Sequence, residues 1–220
     1  VSGAGGAAAV ASGRRSSPAA RASRAVESFR SAAECIGPVT AGAAVFAVTR
    51  GQFSMIDAVL HVLDEVGRAE RLSLWTWTIA DYEVEVFRRL MRDGRIGAGC
   101  LVIDGGARVK NAGLIAGWRA SFGPESVRYV MNHAKLATVE GGGLRVLLRG
   151  SMNLNHNPRF EQLDVSEGGP AFDLVREIED GLPVLPDDAE GAAVYRASRV
   201  SEAFEPEQLA VFKGLKVWAK

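Results

Sequence analysis

Cysteine is nearly missing: Cys35 and Cys100 are the only two in 220 residues. They stand far apart and outside any Cys-x-x-Cys spacing, which excludes a disulfide scaffold and leaves reduced thiols as the expected state. Histidine is as scarce. His61, His133 and His156 show no metal-ligand spacing, so a structural zinc site is not expected. No cofactor is expected either. Net charge is absent as well, with 26 Lys plus Arg against 26 Asp plus Glu. That balance argues against a protein that coats nucleic acid indiscriminately, and it leaves room for a local basic site. No apolar run approaches the roughly 18 residues that a membrane span needs. What remains is ordinary globular material: hydrophobic residues make up 47% and charged residues 24%, which excludes a mainly disordered chain and a collagen. The length predicts one domain, with a tail, and the cytoplasm is the expected location.

The N-terminal stretch VSGAGGAAAVASGRRSSPAARASR has no acid before Glu27 and no aromatic before Phe29. Such a segment buries too little apolar surface to offset its ordering entropy, so residues 1–38 are expected to form a disordered tail. A secretory signal would need a charged start followed by an apolar run, and here the order is wrong. Arg14-Arg15 lacks the apolar stretch of a twin-arginine signal. An organelle transit peptide shares the composition and is the sharper alternative to a plain tail.

A catalytic domain is expected over residues 39–185. AAVFAVT (43–49) reads as a buried strand, and Met55, Ile56, Val59, Leu60, Leu63 and Val66 recur at helical spacing until Gly67. RLSLWTWTI (71–79) is a second strand, followed by a helix that Asp81 can cap and that ends at Gly94. CLVID (100–104) is a third strand, with a helix over 111–121 behind it. This alternation predicts an α/β fold with a mainly parallel mixed sheet and helices on both faces. Beyond Phe122 the pattern turns to strands: 126–130, 133–140 and 144–151, then the short LDVS, with Gly141-Gly142-Gly143 as a hairpin turn. A helix is expected over 171–180. Residues 186–220 read as an acidic linker and a short C-terminal helix.

Chemistry concentrates in NHAKLATVEGGGLRVLLRGSMNLNHNPRFEQLDV. Side chains two apart on a strand face the same way, which predicts that His133 and Lys135 project together. The hairpin returns a strand that ends in the loop Gly150-Ser151-Met152-Asn153. An imidazole, an ammonium, a hydroxyl and a carboxamide near one sheet edge suit a phosphate oxyanion, with the imidazole placed for nucleophilic attack or proton transfer. Residues 95–160 carry nine basic side chains against three acids, whereas 161–207 carry three against thirteen. The motif half is thus basic, as a polyanion groove requires. Trp75 and Trp77 alternate on one strand and read as core or cleft wall rather than as base-stacking groups.

At these residues the sequence resembles the phospholipase D superfamily, whose signature is His-x-Lys, four residues, an Asp, a Gly-Ser-x-Asn loop and a downstream Glu. His133-Ala134-Lys135, Gly150-Ser151-Met152-Asn153 and Glu161 match it in order. Glu140 stands where the family has Asp, an acid regarded there as structural. The resemblance implies a metal-independent phosphodiesterase that works through a phosphohistidine. His133 would be the nucleophile, Lys135, Ser151 and Asn153 would hold the phosphoryl oxygens, and Glu161 would orient His133. Gly150, His156 and Arg159 would be further substrate contacts. Neither His61 nor His156 opens a second His-x-Lys, and small members of the family complete their site by pairing two identical chains, so a homodimer with one shared site is expected. Small single-motif members are typically nucleases, which makes nucleic acid the expected substrate. A phospholipase or phosphatidyl transferase is the alternative enzyme, and a non-catalytic nucleic-acid-binding module of the same fold is the alternative from another class.

Overall fold

The computed structural model describes residues 22–24, 30–156, 158–185 and 191–192. Apart from residues 191–192, the expected linker and C-terminal helix lie outside the described residues, as does most of the expected tail. Everything below belongs to the unit Arg14–Val184. Its elements in chain order are β1 (Ala22–Arg24), α1 (Ala32–Ile36), β2 (Ala43–Arg50), α2 (Met55–Val66), β3 (Ala69–Thr76), α3 (Asp81–Arg92), β4 (Ile96–Asp104), α4 (Ala107–Lys110), α5 (Ala112–Phe122), β5 (Val127–Val130), β6 (Lys135–Gly141), β7 (Leu144–Gly150), β8 (Phe160–Glu167) and α6 (Pro170–Gly181).

Apolar patterning explains most of them. Met55, Ile56, Val59, Val62, Leu63 and Val66 of α2 are all buried. The helix begins where the Asp57 carboxylate accepts from the Ser54 backbone N–H at 2.8 Å, and it ends at Gly67 with φ of 72°. α3 starts at Asp81 itself rather than being capped by it. Glu83, three residues after Ala80, reaches back to the Ala80 N–H and is buried there. In β3 and β4, Leu72, Leu74, Leu101, Val102 and Ile103 are fully buried, as central strands covered on both faces must be.

The strands form one sheet in the order β1-β2-β8-β7-β6-β3-β4-β5. Six run one way and β6 and β8 run against them, which gives three parallel and four antiparallel pairings. The mixed α/β sheet matches the sequence expectation; the balance of its pairings differs. The C-terminal strands join through short connections rather than helices, and a short connection dictates an antiparallel neighbour. Gly142 and Gly143, with φ of 58° and 77°, make the two-residue turn from β6 to β7. β2, β3, β4 and β5 are linked by crossovers that step toward the same edge, so right-handedness sets α2, α3 and α5 on one face.

α6 covers part of the other face through a buried carboxylate. Glu179, with 0% side-chain exposure, accepts from Ser73 Oγ at 2.7 Å, from Arg176 Nη1 at 2.7 Å and from Trp75 Nε1 at 3.2 Å, and Arg71 Nη2 lies 2.5 Å away. Burial alone would lower the Arg71 pKa, but Asp180 and Glu179 hold it above its ordinary value. Burial, and after it the Glu179 charge, push the Cys100 thiol up to about 12. Cys35 and Cys100 are both buried, and neither is in a disulfide.

Order begins earlier than the boundary expected at residue 39. β1 pairs in parallel with β2, and α1 buries Ala32, Cys35 and Ile36. The Ser31 hydroxyl accepts from the Glu34 N–H at 3.3 Å, and His61 Nε2 lies 2.8 Å from the Gly37 carbonyl. Averaged composition hides so short an amphipathic element. No helix among the described residues is long and apolar enough to cross a membrane.

Candidate active site

The site residues gather at one sheet end, where β5 and β7 finish and β6 and β8 begin. His133 is not within a strand as expected; it stands two residues ahead of β6, so strand alternation does not direct it. Asn132 holds it instead. This residue is 7% exposed, and its carboxamide straddles the histidine: Oδ1 accepts from the Ala134 N–H at 2.9 Å while Nδ2 faces the Ala134 carbonyl at 3.4 Å. The same Nδ2 donates to the Thr76 carbonyl at 2.9 Å and reaches the Val102 carbonyl at 3.3 Å, which ties the loop to the ends of β3 and β4. The Asn132 N–H in turn donates to Asp104 Oδ2 at 3.3 Å. Asn132→Ala would strand the Ala134 N–H and the Thr76 carbonyl, and the expected loss is about 2–4 kcal/mol, read from urea unfolding.

Lys135 opens β6. Its Nζ lies 3.2 Å from both ring nitrogens of His133 and donates to the His133 carbonyl at 2.8 Å. Burial lowers the Lys135 pKa from its ordinary value, and the Glu161 charge opposes that shift. Gly150 pairs with Lys135 on one side and Leu163 on the other. A Cβ at Gly150 would run into the Gln162 carbonyl oxygen, which itself accepts from the Ser151 N–H at 3.1 Å. Only glycine lets β8 come this close. The Ser151 hydroxyl donates to the Glu161 carboxylate and accepts from the Gln162 N–H at 3.0 Å. The Asn153 carbonyl accepts from the Met55 N–H at 3.3 Å, seating the loop on the N-terminus of α2, whose partial positive charge favours an anion. Asn153 Oδ1 is buried with no hydrogen-bond partner among the described residues.

The remaining expected residues are placed differently. His156 Nε2 lies 2.6 Å from the Gly51 carbonyl, so that edge of the ring braces the loop after β2. Arg159 is exposed on the turn into β8. Glu140 stands at the far end of β6, on the face opposite Lys135, with its carboxylate 3.0 Å from Arg176 Nε. The two tryptophans part company. Trp75 belongs to the Glu179 network, while Trp77 is 53% exposed with its ring centroid 6.0 Å from that of His133. Sequence reasoning passed over Asn132. A short carboxamide between a strand and the histidine was the available signal, since Asn bonds neighbouring backbone in turns. Among the described residues, no group of three or more His, Cys, Asp and Glu side chains could hold a metal ion.

No family model matches the sequence. A search of curated proteins finds no relative either. Solved structures do resemble the fold. A polyphosphate kinase from Porphyromonas gingivalis is similar at a TM-score of 0.47 and 17% identity, over 64% of this chain and 26% of that one. TrmBL2, an archaeal chromatin protein with a novel mode of DNA binding, is similar at a TM-score of 0.41 and 10% identity, over 61% of this chain and 50% of that one. The chain therefore spans half or less of the length of each.

Proposed function

We propose that this chain is a phosphodiesterase that hydrolyses nucleic-acid phosphodiester bonds through a phosphohistidine, at a site shared by two identical protomers. The observation that carries this reading is the Lys135 ammonium 3.2 Å from the His133 imidazole, on the strand paired with the Gly150-Ser151 end of β7. A ring nitrogen of His133 forms a bond to phosphorus as the bond to the leaving oxygen breaks. That oxygen takes a proton from the second protomer's copy of His133, because one imidazole cannot serve opposite sides of one phosphorus. The second imidazole then removes a proton from water, whose oxygen displaces the first from phosphorus. Lys135 and Asn153 hold the non-bridging oxygens as charge develops on them, and Ser151 joins them by turning its hydroxyl proton from Glu161 to the phosphate. Glu161 is a positioning residue: it holds the Ser151 hydroxyl, and its charge acts on the Lys135 ammonium that lies against His133. Of the basic residues over 95–160, Arg95, Arg145 and Arg149 pair with Asp64, Asp173 and Asp164, and the exposed Lys110 and Arg159 support a polyanion as substrate.

The test incubates the full chain in EDTA with plasmid, single-stranded DNA, RNA and phosphatidylcholine vesicles. Nucleic acid is expected to be cut and headgroup retained. Headgroup release without nucleic-acid cleavage, or cleavage abolished by EDTA, overturns the reading.

A further inference from the structure

Beside the reacting groups lies a recess that the mechanism above does not use. It measures about 250 Å³ and is lined by Trp77, Thr78, Asp104, Gly106, Lys110 and Asn111. That is smaller than the roughly 300–1,000 Å³ of sites that enclose drug-sized ligands, and it is on the scale of a single ring system. One wall is the Trp77 indole, 53% exposed and tilted 51° to the His133 ring. Leaving half a tryptophan in water gives up burial that an ordinary loop residue would take. Trp77 is the residue immediately after β3, on the side of the site away from β7 and β8.

The other walls are polar and fixed. Asp104 Oδ1 accepts from the Gly106 N–H at 2.8 Å, and Asn111 Nδ2 donates to the Ile79 carbonyl at 2.6 Å, so both side chains are held while keeping lone pairs for further donors. Lys110 is exposed at the recess, where a cation suits a neighbouring phosphate. An aromatic face, fixed acceptors and a cation next to a phosphate-handling imidazole are the parts of a nucleobase subsite.

We propose that this recess takes one unpaired nucleobase of the strand being cut, stacked on Trp77, and so makes single-stranded nucleic acid the preferred substrate. The inference rests on the phosphodiesterase reading and names its substrate class. A base inside a duplex is stacked on its own neighbours and cannot also stack on the indole without being extruded. Every base has a π face, so the subsite tolerates sequence variation.

Binding is measured on the full-length His133→Ala protein, which separates binding from turnover, with a mixed-sequence DNA oligonucleotide as single strand and as duplex. Adding Trp77→Ala is expected to weaken single-strand binding by roughly 5- to 100-fold, the loss typical of one stacked base. Duplex binding should stay within about twofold, and Trp77→Phe should restore most of the single-strand affinity. An oligonucleotide carrying an abasic position at the cleaved nucleotide should be insensitive to Trp77→Ala. Equal losses on both strand forms, undiminished single-strand binding, or no binding of either form overturns the subsite. The two readings fail separately. Cleavage by wild type with single-strand KM unchanged in Trp77→Ala sinks the subsite alone. Trp77-dependent single-strand binding without any cleavage by wild type sinks the catalytic reading alone.

Discussion

His133→Ala is expected to reduce nucleic-acid cleavage by about 10⁴-fold or more while leaving the unfolding midpoint nearly unchanged. Under the proposed mechanism the loss is large because the substitution removes the group that bonds to phosphorus, and no other imidazole is placed to replace it: His156 braces the Gly51 carbonyl and His61 faces Gly37. The midpoint is spared because the ring is exposed and its contacts are the Lys135 ammonium and the Trp77 indole, so stability should move by no more than about 0.5 kcal/mol. Cleavage that persists in the variant would remove the imidazole from the mechanism. Mixing folded wild-type and His133→Ala chains tests the shared site as well. If each site needs two imidazoles, activity follows the square of the wild-type fraction once protomers have exchanged. A linear dependence would mean that each chain works alone.

Glu179→Ala should unfold more easily by about 3 kcal/mol or more, since removing one partner of a buried ion cluster leaves the other charges uncompensated. Arg71 and Arg176 both point at this carboxylate, and Ser73 and Trp75 donate to it. Asp180 at 2.8 Å from Arg71 and Glu140 at 3.0 Å from Arg176 soften the loss without filling the vacated centre. For a unit of this size, 3 kcal/mol corresponds to a Tm shift of roughly 6–12 °C. Glu179→Gln keeps the volume and should lose less. A melting curve that Glu179→Ala leaves in place would show that α6 is held by its apolar contacts alone.

Strands and helices with a strong period were legible in the sequence. β2, α2, β3, α3 and β4 each announce themselves by a buried run or a 3.6-residue stripe. β8 was seen only as LDVS because Glu161 and Gln162 are polar and the one apolar residue before them, Phe160, is exposed, so no buried run leads into the strand. Glu179 was unreadable for the opposite reason. It sits among acids that look like a solvated face, and only the fold shows that it is interior. Lys135 and Gly150 fall on paired strands with Ser151 just beyond, as the hairpin spacing predicts, and Glu161, singled out by the family resemblance, falls on the next strand. Asn132 escaped because its bonds run to Thr76 and Val102, residues 56 and 30 positions away. Glu140 is the instructive case, since its outward parity was legible and its partner Arg176 was not.

The order of the last three strands has an outcome for how the molecule can be taken apart. β6, β7 and β8 follow one another through a two-residue turn and a nine-residue loop, so closing them costs the unfolded chain little entropy. Lys135, Ser151 and Glu161 ride on this local meander. His133 does not: through Asn132 it is lashed to β3 and β4, which reach it only after the helical crossovers have closed. Opening of the seam between β3 and β6 would therefore part the meander from the Asn132 anchor while Lys135 and Gly150 stay paired. In that partly opened state the Lys135 ammonium and the Ser151 hydroxyl would remain neighbours without the His133 imidazole held beside them.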